Sequence, residues 1–437
     1  MRLREKIISL VNKHYSHKKK EESYISFLQR KHIDFFKKKG FPIFRKEQKS
    51  INISPIIDQD YHILYEENKI KNIEYQKIKN FIFLKKNKSF LFIFVDGIYN
   101  SSLSKIYDLK NHVVLSNIIS QKENKIKNYY GKLSHKYNVF YTLNTIFSRD
   151  GIYIYIPDNI ILEKPVEILN ISTGLNSEKI MMNSRNLIVV GKNSYVKVIE
   201  HYKCLKKHLI FINSVSEIYT LDRSKIDYYK IQDKSFKKGS SIIDNTFFQQ
   251  KKCSKCSVYT FSIQENFIKN NLRFSFCGKK TYSYLYGISI LSKKQLIDNK
   301  TSINHSYSYS NSYQLYKNIL FDKSEGIFNG KIIVNKGIKE INAYQKNKSI
   351  IFSDKACMYA KPQLEIYSEN VKCSHGCTIG NLQKEELFYL QSRGISEKNG
   401  KILLLFSFLE EILNPITIFE LKKIFYEKMK KKLNKYL

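Results

Sequence analysis

The chain has 437 residues, 42% hydrophobic and 14% aromatic, and a formal net charge of +36. That is enough apolar material for a large core, and it excludes a chain that stays disordered throughout. Only nine of the 75 basic residues are Arg, whereas phosphate and guanine recognition favours the Arg fork, so the charge reads as a solvated lysine surface rather than a nucleic-acid footprint.

The same lysines come with abundant Ile, Asn, Tyr and Phe and no Trp, the residues of A/T-rich codons. The longest apolar run, FLFIFV at 90–95, falls far short of the roughly 20 residues of a membrane span. The first twenty residues hold no apolar stretch as long as a signal h-region. Seven cysteines without framework spacing predict a reduced, cytoplasmic chain.

Residues 1–50 read as helical. Ile25, Leu28, Ile33 and Phe36 form one stripe, with Gly40 and Pro42 as the stop. Residues 51–88, polar with scattered apolar pairs, read as a linker with local structure. SFLFIFVDGIYN predicts a strand closed by the Asp96–Gly97 turn dipeptide. LKNHVVLSNIISQ and YNVFYTLNTIF read as a mixed helical stretch.

From Gly151 the texture changes to short β-branched and aromatic runs separated by brief polar turns, continuing to about residue 380. Such spacing predicts a large all-β unit: a sandwich, a barrel or a β-helix. After 381 the period returns to helical. Ser396 is an N-cap candidate, and Asn414–Pro415 reads as the start of the last helix. There Ile418, Leu421, Ile424, Phe425 and Met429 line one face, suited to docking on a β-domain or on a partner. The expected divisions are 1–149, 150–380 and 381–437.

Several chemistries are missing. GIFNGKI (326–332) lacks the spacing and the Ser/Thr of a P-loop, and there is no H-E-x-x-H and no G-x-S-x-G. CSKC (253–256) has no second ligand pair at zinc spacing and enters a strand rather than opening a helix. It reads as incidental thiols, as do Cys204, Cys277 and Cys357.

VKCSHGCTIG (371–380) carries Cys373, His375 and Cys377 at alternate positions. On a strand all three side chains share one face. Three ligands so close on one strand cannot wrap a tetrahedral ion, so a metal would need a ligand from elsewhere. The alternative is that the cysteines are β-core residues and His375 an edge histidine.

The run KPQLEIYSENVKCSHGCTIGNLQKEELFYLQSRGIS (361–396) resembles the signature of the SufB/SufD family of iron–sulfur cluster assembly scaffolds. GIFNGKIIVNKGIKEINAYQKNKSIIFSDKA (326–356), GIYIYIPDNIILEKPVEILNI (151–171), LNTIFSRDG (143–151), FVDGIYNSSLS (94–104) and GFP (40–42) follow in the family's order. CSHG with its histidine, and the chain length, resemble the SufD side of the family.

The resemblance implies a mainly β fold: a right-handed parallel β-helix core flanked by N-terminal helical (α/β) and C-terminal helical regions. It implies a non-catalytic scaffold paired with SufB, and an ATPase, SufC, docked on the C-terminal helices around 408–425. A transient iron–sulfur cluster would sit at the SufB interface, with none held stably by this chain alone. His375 and Cys373 are the implied interface cluster ligands, whereas Cys377 stands where the family often has Ala. The region around FRKEQKSIN (44–52) lacks the family's Trp-containing run. A SufB-type subunit is the alternative reading, and a β-helix enzyme a more distant one.

Overall fold

The structure is a computed structural model that describes residues 3–15, 23–41, 53–63, 73–85, 87–106, 109, 112–134, 138–174, 179–233, 236–263 and 267–437. Pro42 and the stretch 44–52 lie outside the described residues. From Val166 onward, successive strands alternate between two sheets of ten strands, each pairing in parallel with the strand two places on. The chain is mainly β, and its strands wind a parallel β-solenoid of about 7 turns. Cys256 pairs with Ser283, and Ala343 with Cys373. Across the two sheets, one turn takes between 26 and 34 residues.

The turns carry a sequence repeat. Asn193, Arg223, Cys253, Lys280, Tyr309 and Glu340 all adopt positive φ between 55° and 64°. Each amide donates to a carbonyl of the following turn, as from Arg223 to Lys252 at 2.8 Å and from Cys253 to Lys279 at 2.9 Å. Five of these residues precede a hydroxyl: Ser194, Ser224, Ser254, Thr281 and Ser310. Ser224 and Ser254 each donate to the carbonyl three residues back at 2.7 Å. The four serines thus satisfy carbonyls that a tight turn would leave orphaned, whereas the Thr281 hydroxyl has no hydrogen-bond partner among the described residues.

Inward-facing columns fill the solenoid. Val196, Ile226 and Cys256 succeed one another in one column, and Val198, Tyr228, Val258 and Leu285 in the next. The outer faces are covered as well, which is why the strand Val166–Ser172 is buried at every position. A strand buried on both faces loses the alternation that would mark it as half-exposed.

The N-terminal region covers the first sheet. Helix Val139–Phe147 is N-capped by the Asn138 side chain and lays Phe140, Leu143 and Phe147 among Met181, Phe211 and Ile243. Helix Tyr24–Lys39 packs on it and ends at Gly40, whose φ is 60° and whose amide donates to Phe36. Asp96–Gly97 closes an antiparallel hairpin, with Phe94 opposite Tyr99. Within the stretch read as helical, Val114–Asn117 is instead a strand, antiparallel to Gly151–Ile156. There the open edge of the sheet outweighs a local pattern of modest helix propensity.

The C-terminal helices Glu397–Leu413 and Phe419–Tyr436 lie along the outer face of the second sheet. Leu405, Leu409, Ile412, Leu421, Phe425, Met429 and Leu433 are buried there. Phe425 stacks on Phe261 with ring centroids 3.7 Å apart. The floor is a tyrosine column, Tyr229, Tyr259 and Tyr286, stacked at 4.8 and 5.0 Å. Asp233 fastens the last helix by accepting from Lys203 at 2.6 Å and Lys428 at 2.5 Å. Burial works against its ionisation, but the two lysines prevail and hold the carboxyl below its usual range.

Asn414 ends the first of these helices instead of starting the second, which begins at Phe419. Pro415, lacking an N–H, fits just past a helix end as well as inside a start. The apolar stripe of the last helix is spent on the chain's own sheet. Among the described residues no helix is long and apolar enough to cross a membrane.

Candidate functional site

Among the described residues, the last strand of the second sheet, Val371–Gly380, has a partner on one side only, Ile341–Ile351. The last strand of the first sheet, Cys357–Ile366, likewise pairs only with Glu325–Val334. Among the described residues the solenoid therefore ends in two unpaired parallel edges. The helical tail does not close this end. Helix Lys384–Ser392, which follows directly, buries no residue.

Register places the three motif side chains. Cys373 continues the inward column of Cys256, Ser283, Ser312 and Ala343. His375 continues that of Leu285, Gln314 and Gln345. Cys377 continues that of Tyr316 and Asn347. All three belong to the inner face of the sheet, and with no further turn above them they meet solvent at the open end.

Their environments differ. Cys373 is half-buried and packs with Val371 against Ile332, Val334, Ile341 and Ala343. Burial pushes its thiol up, offset in part by a hydrogen bond with the Ala343 backbone. His375 and Cys377 are exposed. The Asn347 amide donates to Cys377 Sγ at 3.8 Å. Among the described residues no group of three or more His, Cys, Asp and Glu side chains is arranged to hold a metal ion.

The remaining cysteines are dispersed. Cys253 occupies the left-handed turn position that Asn193 and Arg223 hold on earlier turns. Cys256 is wholly buried in the inward column, where burial drives its thiol far above its ordinary range. CSKC is thus one turn of the repeat with sulfur at two of its positions. Cys204 is buried and Cys277 half-buried, both with thiols pushed up by burial. Cys357 begins the other edge strand and is exposed.

Two buried ionic clusters left no motif in the sequence. Inside the solenoid, Lys230 donates to Asp244 and Thr246 at 2.5 Å. Nearby, Glu200 accepts from Asn186 at 2.9 Å, from Tyr202 at 2.6 Å and from Tyr228. On the outer face, Arg185 pairs with Glu217. Some partners lie 14 to 16 residues apart, facing each other across the interior, and others 28 or 32 apart, on neighbouring turns; only the solenoid brings both spacings together.

The open end is apolar at its margins: Tyr359, Ile366, Tyr367 and Ile379 are exposed there. Phe388 and Tyr389 of the following helix are 72% and 58% exposed.

Family models agree with this architecture. Residues 173–408 match the SUF system FeS cluster assembly SufBD core domain, and residues 1–168 match the SufBD protein N-terminal region. A SufBD family iron–sulfur cluster assembly protein of Synechocystis is 29% identical over 342 residues, 76% of this chain and 75% of that protein. The iron–sulfur cluster assembly protein SufD of Escherichia coli is 25% identical over 252 residues, 57% of this chain and 59% of that one. The SufB of Plasmodium falciparum is 26% identical over 312 residues, 67% of this chain and 63% of that one. Solenoid, motif and both family models converge, and the chain belongs to the SufBD family of iron–sulfur cluster assembly proteins.

Proposed function

We propose that this chain is a non-catalytic, SufD-type scaffold subunit that pairs with SufB through the open end of its solenoid. The carrying observation is the terminal turn, where two unpaired edge strands present Cys373, His375 and Cys377 at an apolar-rimmed end. Unpaired parallel edges are ready templates for another chain, and monomeric proteins normally blunt them. Exposed aromatic and aliphatic side chains beside them suit a stable interface.

In this reading the iron–sulfur cluster is cargo. His375 and Cys373 supply part of its ligand set and SufB the rest. Neutral imidazole and thiolate are both competent iron ligands. A ligand set divided between two chains can open when one chain moves, which favours release over permanent storage. Cys373 lies deeper than His375, so it would bind only once its raised thiol is deprotonated by the metal.

SufC is assigned to the C-terminal helical region. The apolar stripe there is already packed on the sheet, so the contact falls on the outward side, where Phe388, Tyr389, Leu403 and Phe419 are exposed. The similarity to a SufB of comparable identity supports a second reading, a SufB-type subunit. Co-expression separates the two: the proposal expects one complex with SufB and SufC, whereas a SufB-type chain would need a SufD partner. Loss of iron and sulfide loading in His375→Ala is expected; unchanged loading would remove the ligand role.

A further inference from the structure

Beside the start of strand Phe90–Val95 the N-terminal region forms a cleft of about 420 Å³. Its floor is apolar, made by the buried side chains of Ile82, Leu84 and Leu91. Its walls carry Lys79, Lys85, Lys105 and Tyr75. Among the described residues no Asp or Glu lines it. Cavities of this size commonly take small organic ligands.

In a lysine-rich chain the pairing of these lysines sets them apart, not their number. Lys77, on the short helix Tyr75–Ile78, pairs with Glu74 at 3.1 Å, and Lys88 pairs with Glu420. Lys79, Lys85 and Lys105 pair with no carboxylate among the described residues. Glu167 lies behind the floor, but its oxygens are taken: it accepts from the amides of Phe83 and Leu84 at 2.7 and 3.1 Å and from the Ser89 hydroxyl at 3.2 Å. Lys105 is held in place. Its backbone exchanges two hydrogen bonds with Leu91, at 2.8 and 2.9 Å. Its ammonium sits 4.5 Å from the centre of the Tyr75 ring and 3.3 Å from the phenol oxygen. A cation fixed in advance loses little freedom on binding, and cations gathered around a cleft without acids raise the local concentration of anions.

We propose that this cleft binds a small phosphorylated ligand with a flat apolar body, of the nucleoside diphosphate class. The phosphates meet Lys79, Lys85 and Lys105, and the body rests on Ile82, Leu84 and Leu91. Lysine serves phosphate as a point charge, whereas a carboxylate ligand is better held by an arginine fork. Among the described residues no Arg lines the cleft.

The test is calorimetric titration of the full chain, at physiological ionic strength and without divalent metal, against ADP, inorganic pyrophosphate and citrate. One saturable site for ADP is expected. Pyrophosphate should bind about tenfold more weakly, because it leaves the apolar floor uncovered, and citrate should show no site. Lys79→Gln and Lys105→Gln should each weaken ADP about tenfold, with the melting temperature unchanged. Lys279→Gln with Lys280→Gln, an exposed pair on a solenoid turn outside the cleft, should leave ADP binding as it is. Equal weakening by that pair would reduce the effect to net charge and overturn the proposal, as would the lack of a saturable site. Citrate binding as tightly as ADP would overturn the phosphate class, and pyrophosphate binding as tightly as ADP would overturn the role of the floor.

Discussion

Arg185 donates to Glu217 at 2.6 Å, and neither side chain is exposed at all. The guanidinium also reaches Tyr141, Asn144 and Thr145 at 3.2 to 3.3 Å. Glu217 accepts from the backbone amides of Gly131 and Leu133 at 2.8 and 2.9 Å. The pair joins two strands of the first sheet to the segment that lies over them, so it is the fastener between the N-terminal region and the solenoid. Arg185→Leu leaves a buried carboxylate without its counter-charge and should cost about 3–5 kcal/mol in urea unfolding. The double variant Arg185→Leu, Glu217→Leu should lose less, because no charge is left unpaired. An equal loss in both would show that packing, not charge, holds the joint.

His305 lies inside the solenoid with its ring edge-on to Phe276 and its Nε2 3.0 Å from Ser312. Burial lowers its pKa from 6.5 to about 3. The folded chain therefore holds a neutral imidazole that the unfolded chain protonates more readily. Its contribution to stability is full above pH 6.5 and is lost as the pH falls toward 3, on the order of 3–5 kcal/mol in all. His305→Gln should flatten that part of the pH–stability curve relative to wild type. Parallel curves for the two proteins would contradict this.

Docking of the C-terminal helices and contact with SufC are separable by substitution. Phe425→Ala removes a ring stacked on Phe261 and should cost about 3–5 kcal/mol in thermal or urea unfolding. Phe388→Ser with Tyr389→Ser touches exposed positions and should stay within about 0.5 kcal/mol of wild type. The second pair should nevertheless weaken co-purification with SufC. Deleting 408–437 would strip the sheet of its cover, so loss of SufC after that deletion would not by itself identify the contact.

The open end can be blunted as natural edges are. Ile379→Lys and Tyr359→Lys place charges on the two edge strands where the native side chains are 46% and 48% exposed. Co-purification with SufB should be lost, with the melting temperature of the isolated chain unchanged. Retained pairing would move the interface away from this end.

Much of the fold was legible before the structure. Gly151 marks the entry to the strand-rich region, the Asp96–Gly97 hairpin forms, and Ser396 caps its helix by accepting from Asn399. The motif strand carries its three ligand-type residues on one face, as alternation requires. The solenoid repeat was present as well, but in the turns rather than the strands. Asn193–Ser194, Arg223–Ser224, Cys253–Ser254 and Tyr309–Ser310 share a conformation that different residue types adopt, and identity alone does not expose it. CSKC is one such turn, with Cys253 at the positive-φ position and Cys256 in the inward column.

The sequence by itself determined the two periods, the Asp96–Gly97 turn, the motif strand and the family. These are local properties, set by side-chain alternation and turn chemistry within a few residues. Only the tertiary structure decided that the last helix spends its apolar face on the second sheet, that Cys256 is interior while Cys377 is exposed, and that Gln345 lies beneath His375. Each of those depends on register between segments 26 to 34 residues apart, or on packing of the tail against strands far upstream. Neighbours across that distance are chosen by summed burial over whole strands, and no short stretch of chain encodes that sum.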